Sequence, residues 1–358
     1  MSCTDAIVAE LGERPRILVI RRDNIGDLVC TTPAITLLRR RFPAAHIAAL
    51  VNSYNAPVLR GNLDVDEVFA YVKGKHVQDG RLPLLAWLGK LRLLGAIRIR
   101  RFDLAILATA FPTPGWLRLA RASGARHVLA AVAPAAPIPR GVDLPVRRDH
   151  RFDGRHAVEQ TALLLAPLGI EAVPPRLTLQ PVRSVGSQQS SPDRRLTRIG
   201  LHISARKPKQ RWPVARFVAL THALAAAIDC EFVLFWAPGA AHDPRHPGDD
   251  DKAQALARSC AGLPLRALPT HSLDELIAGL AAVDLLVCSD GGAMHLAAAL
   301  GKPIVCFFGN SDPRTWHPWG VPHRVLRPAS EDVADVMVEQ ACAATLELLQ
   351  TAHVEPQP

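Results

Sequence analysis

The stretch that decides the fold is residues 285–300, Leu-Leu-Val-Cys-Ser-Asp-Gly-Gly-Ala-Met-His-Leu-Ala-Ala-Ala-Leu. Its first five residues form an apolar run of strand length, and residues 293–300 are an alanine-rich helix candidate. A strand that passes through a turn of small residues into a helix is the repeating unit of a parallel sheet. Because ligands of such sheets bind at the carboxyl ends of the strands, the turn at residues 290–292 is a candidate binding segment.

The same alternation extends along the chain in both directions. In the first half, short β-branched runs predict strands at residues 17–21, 46–51, 68–72 and 104–108. Helical spacing there predicts helices at residues 28–42 and 156–168, with Pro33 kinking the former or disturbing its first turn. In the second half, strands are predicted at 199–203, 232–235, 285–289 and 304–308. Helices are predicted there at 214–227, 251–260, 272–281, 293–300 and about 331–349.

The middle of the chain lacks this rhythm. Residues 171–198 contain four prolines and a polar run, which predicts a linker at residues 176–197. We therefore expect two Rossmann-like, doubly wound α/β domains, residues 1–175 and 198–358, that face each other across a central cleft. For the last helix, packing back on the first domain is an alternative.

Composition limits the classes of partner. Of 358 residues 49% are hydrophobic, which excludes a disordered protein, and 42 Lys and Arg against 33 Asp and Glu give a net charge of +9. Such a balance favours an anionic partner and leaves three open: nucleic acid, a phosphorylated small molecule or an acidic membrane surface.

The cysteines and the apolar runs indicate the compartment. The seven cysteines lie far apart with no Cys-x-x-Cys pair, which predicts small buried hydrophobes in a reducing environment. No secretory signal is readable at the N-terminus, and no window of 18 apolar residues predicts a membrane-spanning helix. We therefore expect a cytoplasmic protein.

The loop after the first strand carries a carboxylate of interest. Residues 22–27 read Arg-Asp-Asn-Ile-Gly-Asp and open a helix, with Gly26 permitting a tight turn. Two interpretations of Asp27 remain open: it caps the helix, or it acts as a general base toward an incoming hydroxyl. They compete, because hydrogen bonds that cap a helix make a carboxylate less basic.

A basic loop follows the first strand of the second half. Shortly after Ser204 it places four cations in six positions, Arg206, Lys207, Lys209 and Arg211, just before a helix. This charge at the carboxyl end of a strand would suit a pyrophosphate. A solvated basic loop is the alternative.

The small residues of the opening stretch offer a second phosphate site. Gly291, Gly292 and Ala293 would let a phosphate approach the N–H groups of a helix N-terminus without obstruction. Asp290 suits sugar hydroxyls better, because a carboxylate would repel a pyrophosphate. A plain strand-to-helix turn is the alternative, and His295 is either a structural hydrogen-bonding residue or a ligand.

Other polar clusters fit chemistry less well. Asp64 and Asp66 have the Asp-x-Asp spacing of metal-dependent sugar transferases but lie in a polar loop before a strand. His242, Asp243, His246 and residues 249–251 lie among Pro and Gly with no ligand geometry, so we expect no metal site. Residues 81–101 predict a basic amphipathic helix, which either lies on an anionic membrane surface or covers a sheet.

Taken together, the motifs resemble glycosyltransferase family 9, the lipopolysaccharide heptosyltransferases. The resemblance covers about residues 16–320. It rests on segments in a specific order, namely 24–27 (Asn-Ile-Gly-Asp), 31–34 (Thr-Thr-Pro-Ala), 41–43 (Arg-Phe-Pro), 211–213 (Arg-Trp-Pro), 290–303 and 308–313.

This resemblance implies a GT-B fold and a transferase of the EC 2.4 class that moves a heptose, with inversion and without a metal or other cofactor. The donor would be ADP-heptose, and the acceptor the anionic, lipid A-linked inner core at the inner face of the cytoplasmic membrane. Asp27 would be the catalytic base, with Asn24 and Gly26 on the acceptor side. The donor would contact Ser204, Lys207, Lys209, Arg211, Asp290, Gly291, Gly292, Ala293 and His295.

Departures from the family pattern keep alternatives open. Residues 202–204 are His-Ile-Ser where many members have Asn-Pro-Gly, Gly291 replaces a common threonine, and Gln210 stands at a usual lysine. The phosphate contact then passes to Lys209, Lys207 or Arg211. One alternative is a transferase of the same fold with another nucleotide sugar or acceptor. A remote one is a non-catalytic nucleic-acid-binding protein, which scarce aromatics disfavour.

Overall fold

The computed structural model describes residues 3–71, 83–181, 196–243 and 248–352. The chain divides into two compact units, Met1–Gln180 and Pro181–Pro358. The predicted linker at 176–197 falls mostly on residues 182–195, which lie outside the described residues. Each unit is built around one six-stranded sheet, and every strand pairing among the described residues is parallel.

The sheet of the first unit has the strand order β3-β2-β1-β4-β5-β6. Its strands are β1 Arg16–Ile20, β2 His46–Asn52, β3 Glu67–Tyr71, β4 Leu104–Leu107, β5 His127–Val132 and β6 Leu144–Arg147. Its helices are α1 Cys3–Leu11, α2 Ile25–Val29, α3 Thr32–Arg41, α4 Pro83–Ile99, α5 Pro114–Ala122 and α6 Ala157–Leu163. In β1 and β4 every residue except Arg16 is buried, as expected for parallel strands covered on both faces.

The sheet of the second unit has the order β12-β11-β10-β7-β8-β9. Its strands are β7 Thr197–His202, β8 Cys230–Trp236, β9 Leu265–Pro269, β10 Leu285–Ser289, β11 Ile304–Phe307 and β12 His323–Leu326. Its helices are α7 Val214–Ala227, α8 Asp250–Ser259, α9 Leu273–Ala281, α10 Gly292–Ala299, α11 Pro313–Trp316 and α12 Val338–Ala352. Counted from the first strand of each unit, both sheets have the doubly wound order 3-2-1-4-5-6.

This order gives each sheet a switch point, where the chain changes direction across the sheet. In the first unit it lies between β1 and β4, which pair through Ile17 and Leu104. In the second it lies between β7 and β10, which pair through Ile199 and Leu285. Ligands of doubly wound sheets bind at the carboxyl ends of the strands at this point.

The predicted strands are confirmed to within a residue or two at either end, but four strands were missed. Three of them, β6, β9 and β12, are edge strands whose residues are only partly buried or include proline. Because an edge strand is covered less completely, its sequence shows no continuous apolar run. The fourth, β5, is fully apolar after its first residue but is rich in alanine.

Helix boundaries show where proline and glycine act. The predicted helix 28–42 is two helices, since α2 ends at Val29 and α3 begins at Thr32 with Pro33 in its first turn. This confirms the predicted disturbance, because proline is tolerated only where its missing N–H would have no partner. The predicted helix 156–168 stops at Leu163. A 3₁₀ turn follows, and Gly169 closes it at φ 72°.

The last helix begins later than predicted. Residues 331–337 include a 3₁₀ turn, Val333–Asp335, and α12 starts only at Val338. Its buried side chains, among them Ala341 and Leu348, belong to the core of the second unit. The helix packs there against α7 and the β11–β12 edge. The sequence had left open that it packs on the first domain instead.

The described cysteines are mostly buried, as predicted. Of the six that are described in detail, five are buried and one, Cys342, is half-buried. Burial raises the pKa of the Cys230 thiol to about 11, and the pKa values of Cys288 and Cys306 also lie above the ordinary thiol range. They are therefore protonated, unreactive core residues.

Candidate functional site

The switch point of the first unit carries Asp27. Asn24 is the N-cap of α2, and Asp27 is the third helical residue rather than the cap itself. Its Oδ2 accepts the backbone N–H of Asn24 at 3.0 Å and the side-chain amide of Asn24 at 3.2 Å. Gly26 between them is buried. The structure therefore brings together the three residues that the sequence analysis assigned to the acceptor side and the base.

Arg21 is the residue that the sequence analysis missed here. Its Nη2 donates to Asp27 Oδ1 at 2.7 Å and lies 3.4 Å from Asp23 Oδ2, and its Nη1 donates to the carbonyl of Ala108 at the end of β4. The side chain is 8% exposed, against 16% for Asp27. One arginine thus ties both strands of the switch point to the carboxylate. The signal available in the sequence was the pair Arg21 and Arg22, which directly follows the apolar strand.

The loop between β1 and α2 is held by hydrogen bonds from neighbouring side chains. Two buried asparagines, Asn52 and Asn55, donate their side-chain amides to the carbonyl of Asp23, each at 2.9 Å. Thr31 Oγ1 donates to the carbonyl of Asp27 at 2.8 Å. The backbone that carries the Asp27 carboxylate is therefore held by hydrogen bonds, and the carboxylate still keeps part of its surface open, which is the arrangement a positioned base requires.

Two arginine–aromatic pairs lie close to this edge of the sheet. The Arg22 guanidinium is 5.4 Å from the ring centre of Tyr71, and its Nε donates to the Tyr71 hydroxyl at 3.1 Å. Arg148 lies 3.6 Å from the ring centre of Phe111, whose side chain is 65% exposed. Burial lowers the pKa of Arg148 from its ordinary value. Cations held by rings offer donors for an anionic ligand.

The switch point of the second unit carries Asp290, directly after β10. The Asp290 N–H donates to the carbonyl of Phe307 at 2.9 Å. Its Oδ2 accepts the side-chain amide of Gln210 at 3.0 Å and the hydroxyl of Ser311 at 2.6 Å. Gln210 and Ser311 were not among the predicted site residues, and both stand on loops after neighbouring strands.

The small residues after Asp290 open α10 as expected. Gly291 is the N-cap, and Gly292 and Ala293 are the first two helical residues. A Cβ added at Gly291 would meet no atom closer than 4.0 Å, so the approach to these N–H groups is open. His295 is only 3% exposed and its ring packs edge-on against Trp316 at 5.9 Å. This burial favours the structural interpretation of His295 over the ligand interpretation.

The basic loop divides into exposed and engaged side chains. Arg206, Lys207 and Lys209 are exposed. Arg211 is half-buried, and its Nε donates to the carbonyl of Ala205 at 3.0 Å, within the loop itself. Ser204 Oγ accepts the N–H of Ala237 at 2.9 Å. Of the three cations predicted to contact the donor, the two lysines are therefore those with exposed side chains.

The basic loop packs closely against Gly309. A Cβ on Gly309 would lie 2.6 Å from the carbonyl oxygen of Lys209 and 2.9 Å from that of Glu331. Arg327 Nε donates to the Gly309 carbonyl at 3.1 Å. The close approach requires glycine, because no side chain fits between the two backbones.

The acidic clusters set aside in the sequence have structural partners. Asp64 accepts the Thr36 hydroxyl at 2.5 Å, and Asp66 accepts Arg39 at 2.6 Å and the Ile47 N–H at 2.7 Å. Within the described ranges no group of three or more His, Cys, Asp or Glu side chains could hold a metal ion. His246 lies outside those ranges.

Comparison with known proteins now supplies a family. A family model described as glycosyltransferase family 9 (heptosyltransferase) matches residues 91–343. Lipopolysaccharide heptosyltransferase 2 from Escherichia coli (strain K12) is 25% identical over 348 aligned positions, which cover 87% of this chain and 88% of that protein.

Solved structures share the fold. A glycosyltransferase family 9 structure from Veillonella parvula DSM 2008 has a TM-score of 0.78 at 21% identity and covers 94% of this chain and 98% of that chain. The E. coli heptosyltransferase WaaC with ADP has a TM-score of 0.73 at 18% identity and covers 93% and 99%. The predicted α/β class of GT-B type is thereby confirmed, whereas the cleft between the domains stays a prediction.

The family model spans most of the chain, and both sheets have the doubly wound strand order 3-2-1-4-5-6. The chain therefore belongs to glycosyltransferase family 9 and is a glycosyltransferase enzyme.

Proposed function

We propose that the protein transfers a heptose from ADP-heptose to the lipid A-linked inner core of lipopolysaccharide, with inversion and without a metal. The observation that carries the proposal is the Asp27 carboxylate, oriented by Arg21 and Asn24 at a switch point and still partly open. The names of the curated relatives, lipopolysaccharide heptosyltransferases, and the ADP in a solved relative support the choice of substrates.

The chemistry follows from a single positioned base. Asp27 takes the proton of the acceptor hydroxyl as its oxygen attacks the anomeric carbon of the donor. The bond from that carbon to the diphosphate oxygen breaks in the same displacement, so the configuration inverts and ADP leaves. One base suffices, because the diphosphate departs already ionised and requires only charge stabilisation. A second carboxylate, as in glycoside hydrolases, has no role.

The second unit would supply that stabilisation and hold the donor. Gly291, Gly292 and Ala293 leave the N-terminus of α10 open for the pyrophosphate. Lys207 and Lys209 would add positive charge, while Ser204 and Arg211 would shape the loop that carries them. Asp290 would accept hydroxyl groups of the sugar, and His295 would support the helix from the core.

The acceptor side and the membrane form one part of the proposal. Arg22 and Arg148, each beside an aromatic ring, would bind the anionic saccharide. None of the described helices is long and apolar enough to cross a membrane. We propose that α4 touches the inner face of the cytoplasmic membrane, because Leu88 and Leu91 are exposed beside Lys90 and Arg92. The enzyme would thus be cytoplasmic and peripheral.

The test is transfer to a defined acceptor. The purified protein is incubated with a heptose-free, lipid A-linked acceptor and a panel of nucleotide sugars, and the product is analysed by mass spectrometry and by NMR of the new anomeric centre. Heptose added only from the ADP donor, with inverted configuration and in the presence of a chelator, supports the proposal. Transfer of another sugar, retention of configuration or inhibition by the chelator contradicts the corresponding part.

A further inference from the structure

Asp290 is held by an unusual pair of partners. Both hydrogen bonds to its carboxylate fall on one oxygen, Oδ2, and both come from neutral groups, the Gln210 amide and the Ser311 hydroxyl. Among the described residues, no ion pair to Asp290 occurs. The negative charge is thus not neutralised by a cation in contact.

The two partners come from different parts of the second unit. Gln210 ends a 3₁₀ turn, Pro208–Gln210, and is only 6% exposed, although its neighbour Lys209 is exposed and its neighbour Arg211 is only half-buried. Ser311 stands on the loop after β11, 21 residues from Asp290 in the sequence. The contact with Asp290 explains why the Gln210 amide is buried, because a buried hydrogen-bond donor needs an acceptor.

The geometry has a consequence for the other oxygen. Two donors on Oδ2 fix the rotation of the carboxylate, and a carboxylate oxygen has two lone pairs for acceptance. No donor to Oδ1 occurs among the described residues, so this oxygen can accept hydroxyl groups from a ligand that approaches the N-terminus of α10. Gln210 therefore affects how a sugar is recognised, whereas its basic neighbours Lys209 and Arg211 are suited to bind the pyrophosphate.

We propose that Gln210 and Ser311 are positioning residues that orient Asp290 toward the donor sugar, so that they govern recognition of the sugar and not of the nucleotide. This inference rests on the proposed function, because it presupposes a nucleotide-sugar donor at the second switch point. A lysine at this position would be expected to contact the phosphate. The inference assigns Gln210 a different role.

The test compares two ligands, ADP-heptose and ADP, by calorimetry in the wild type and in Gln210→Met, which keeps the length and loses the amide. The preference for ADP-heptose over ADP should fall about tenfold, since one hydrogen bond to a charged group is lost. The affinity for ADP alone should stay within about twofold. Ser311→Ala should act in the same direction, and Gln160→Met, which removes a glutamine amide in the first unit, should change neither affinity.

A pH profile separates positioning from mere structural support. In Gln210→Glu the new carboxyl group can donate to Asp290 only while it is protonated, and two ionised carboxylates 3 Å apart repel. Donor kcat/KM of this variant should therefore recover toward the wild-type value as the pH falls from about 8 to about 5. A wild-type-shaped profile at uniformly reduced activity would overturn the inference.

The possible failures are distinguishable. A wild-type protein that binds ADP-heptose no more tightly than ADP contradicts the proposed donor, and the same ratio is then measured with the nucleotide sugar that the wild type prefers. The positioning role is overturned if the wild type prefers ADP-heptose over ADP and the Gln210→Met variant keeps the same preference. It is also overturned if the variant loses affinity for both ligands equally.

Discussion

At the scale of single residues, each unit has an aspartate at its switch point, and the two aspartates have opposite surroundings. Asp27 is paired with a cation, Arg21, whereas Asp290 is bonded to neutral donors. Arg21 holds the Asp27 side chain in one orientation, and Gln210 does the same for Asp290. Both supporting residues act through hydrogen bonds that only the folded chain provides.

Substitution of Asp27 tests the base. Asp27→Asn keeps the size and the contact with Asn24 but cannot take a proton, so kcat should fall by about 10²- to 10⁴-fold. Affinity for ADP should remain within about twofold, because the donor belongs to the other unit in our proposal. The matched control is Asp23→Asn, which changes a carboxylate that also lies beside Arg21 and should keep most of the activity. An Asp27→Asn enzyme with wild-type turnover would exclude Asp27 as the base.

His202 at the end of β7 predicts a pH dependence of stability. Burial disfavours the imidazolium and lowers its pKa to about 4, although the nearby Asp249 carboxylate opposes the shift. Between pH 6.5 and about 4 the unfolded chain binds a proton that the folded chain does not, so stability falls as the pH falls, by up to about 3 kcal/mol. Urea unfolding at pH 7.5 and 4.5 should show this loss, and His202→Gln should reduce it. An identical loss in the variant would assign it to other groups.

At the scale of elements, the loop of residues 206–211 depends on its contact with Gly309. Gly309→Ala should destabilise the fold by about 1–3 kcal/mol, because the added methyl group meets two backbone carbonyls that cannot move aside. It should also weaken ADP binding by displacing Lys209. The measurement is urea unfolding together with ADP titration. Gly95→Ala is the control: it lies in α4 with no atom within 4 Å of the new Cβ and should be neutral or slightly stabilising.

The helix α4 predicts binding to anionic vesicles. Leu88 and Leu91 are 36% and 44% exposed, and Lys90 and Arg92 lie beside them on the exposed turn. Co-sedimentation with vesicles containing anionic lipid should weaken about fivefold for each basic residue changed to Gln, since each contributes about 1 kcal/mol. Leu91→Glu should weaken it further. Equal binding to neutral vesicles, or an unaffected double variant Lys90→Gln/Arg92→Gln, would exclude this surface.

At the scale of the whole molecule, the two sheets repeat one strand order but carry different chemistry. The carboxyl end of the first presents arginines, aromatic rings and Asp27, and that of the second presents small residues, lysines and Asp290. Such a division predicts that the nucleotide is a ligand of the second unit alone.

Ligand-induced protection tests this division. ADP at about a hundred times its dissociation constant should add about 2.7 kcal/mol of stability to the part of the chain that binds it. Hydrogen exchange should slow in peptides that contain residues 204–211 and 290–296 and stay unchanged in those that contain residues 21–27. UMP serves as the control nucleotide. Protection centred on the first unit would contradict the assignment of the donor side.

The sequence by itself determined the fold class, most strands and the positions of Asp27 and Asp290, because apolar runs, glycine turns and helix starts are local features of the chain. Only the tertiary structure decided the edge strands β6, β9 and β12, the switch points and the partners of these carboxylates. Arg21 reaches Ala108 across 87 residues, and Gln210 reaches Asp290 across 80. Contacts between residues so far apart depend on the order in which strands pair, and no local pattern in the sequence records that order.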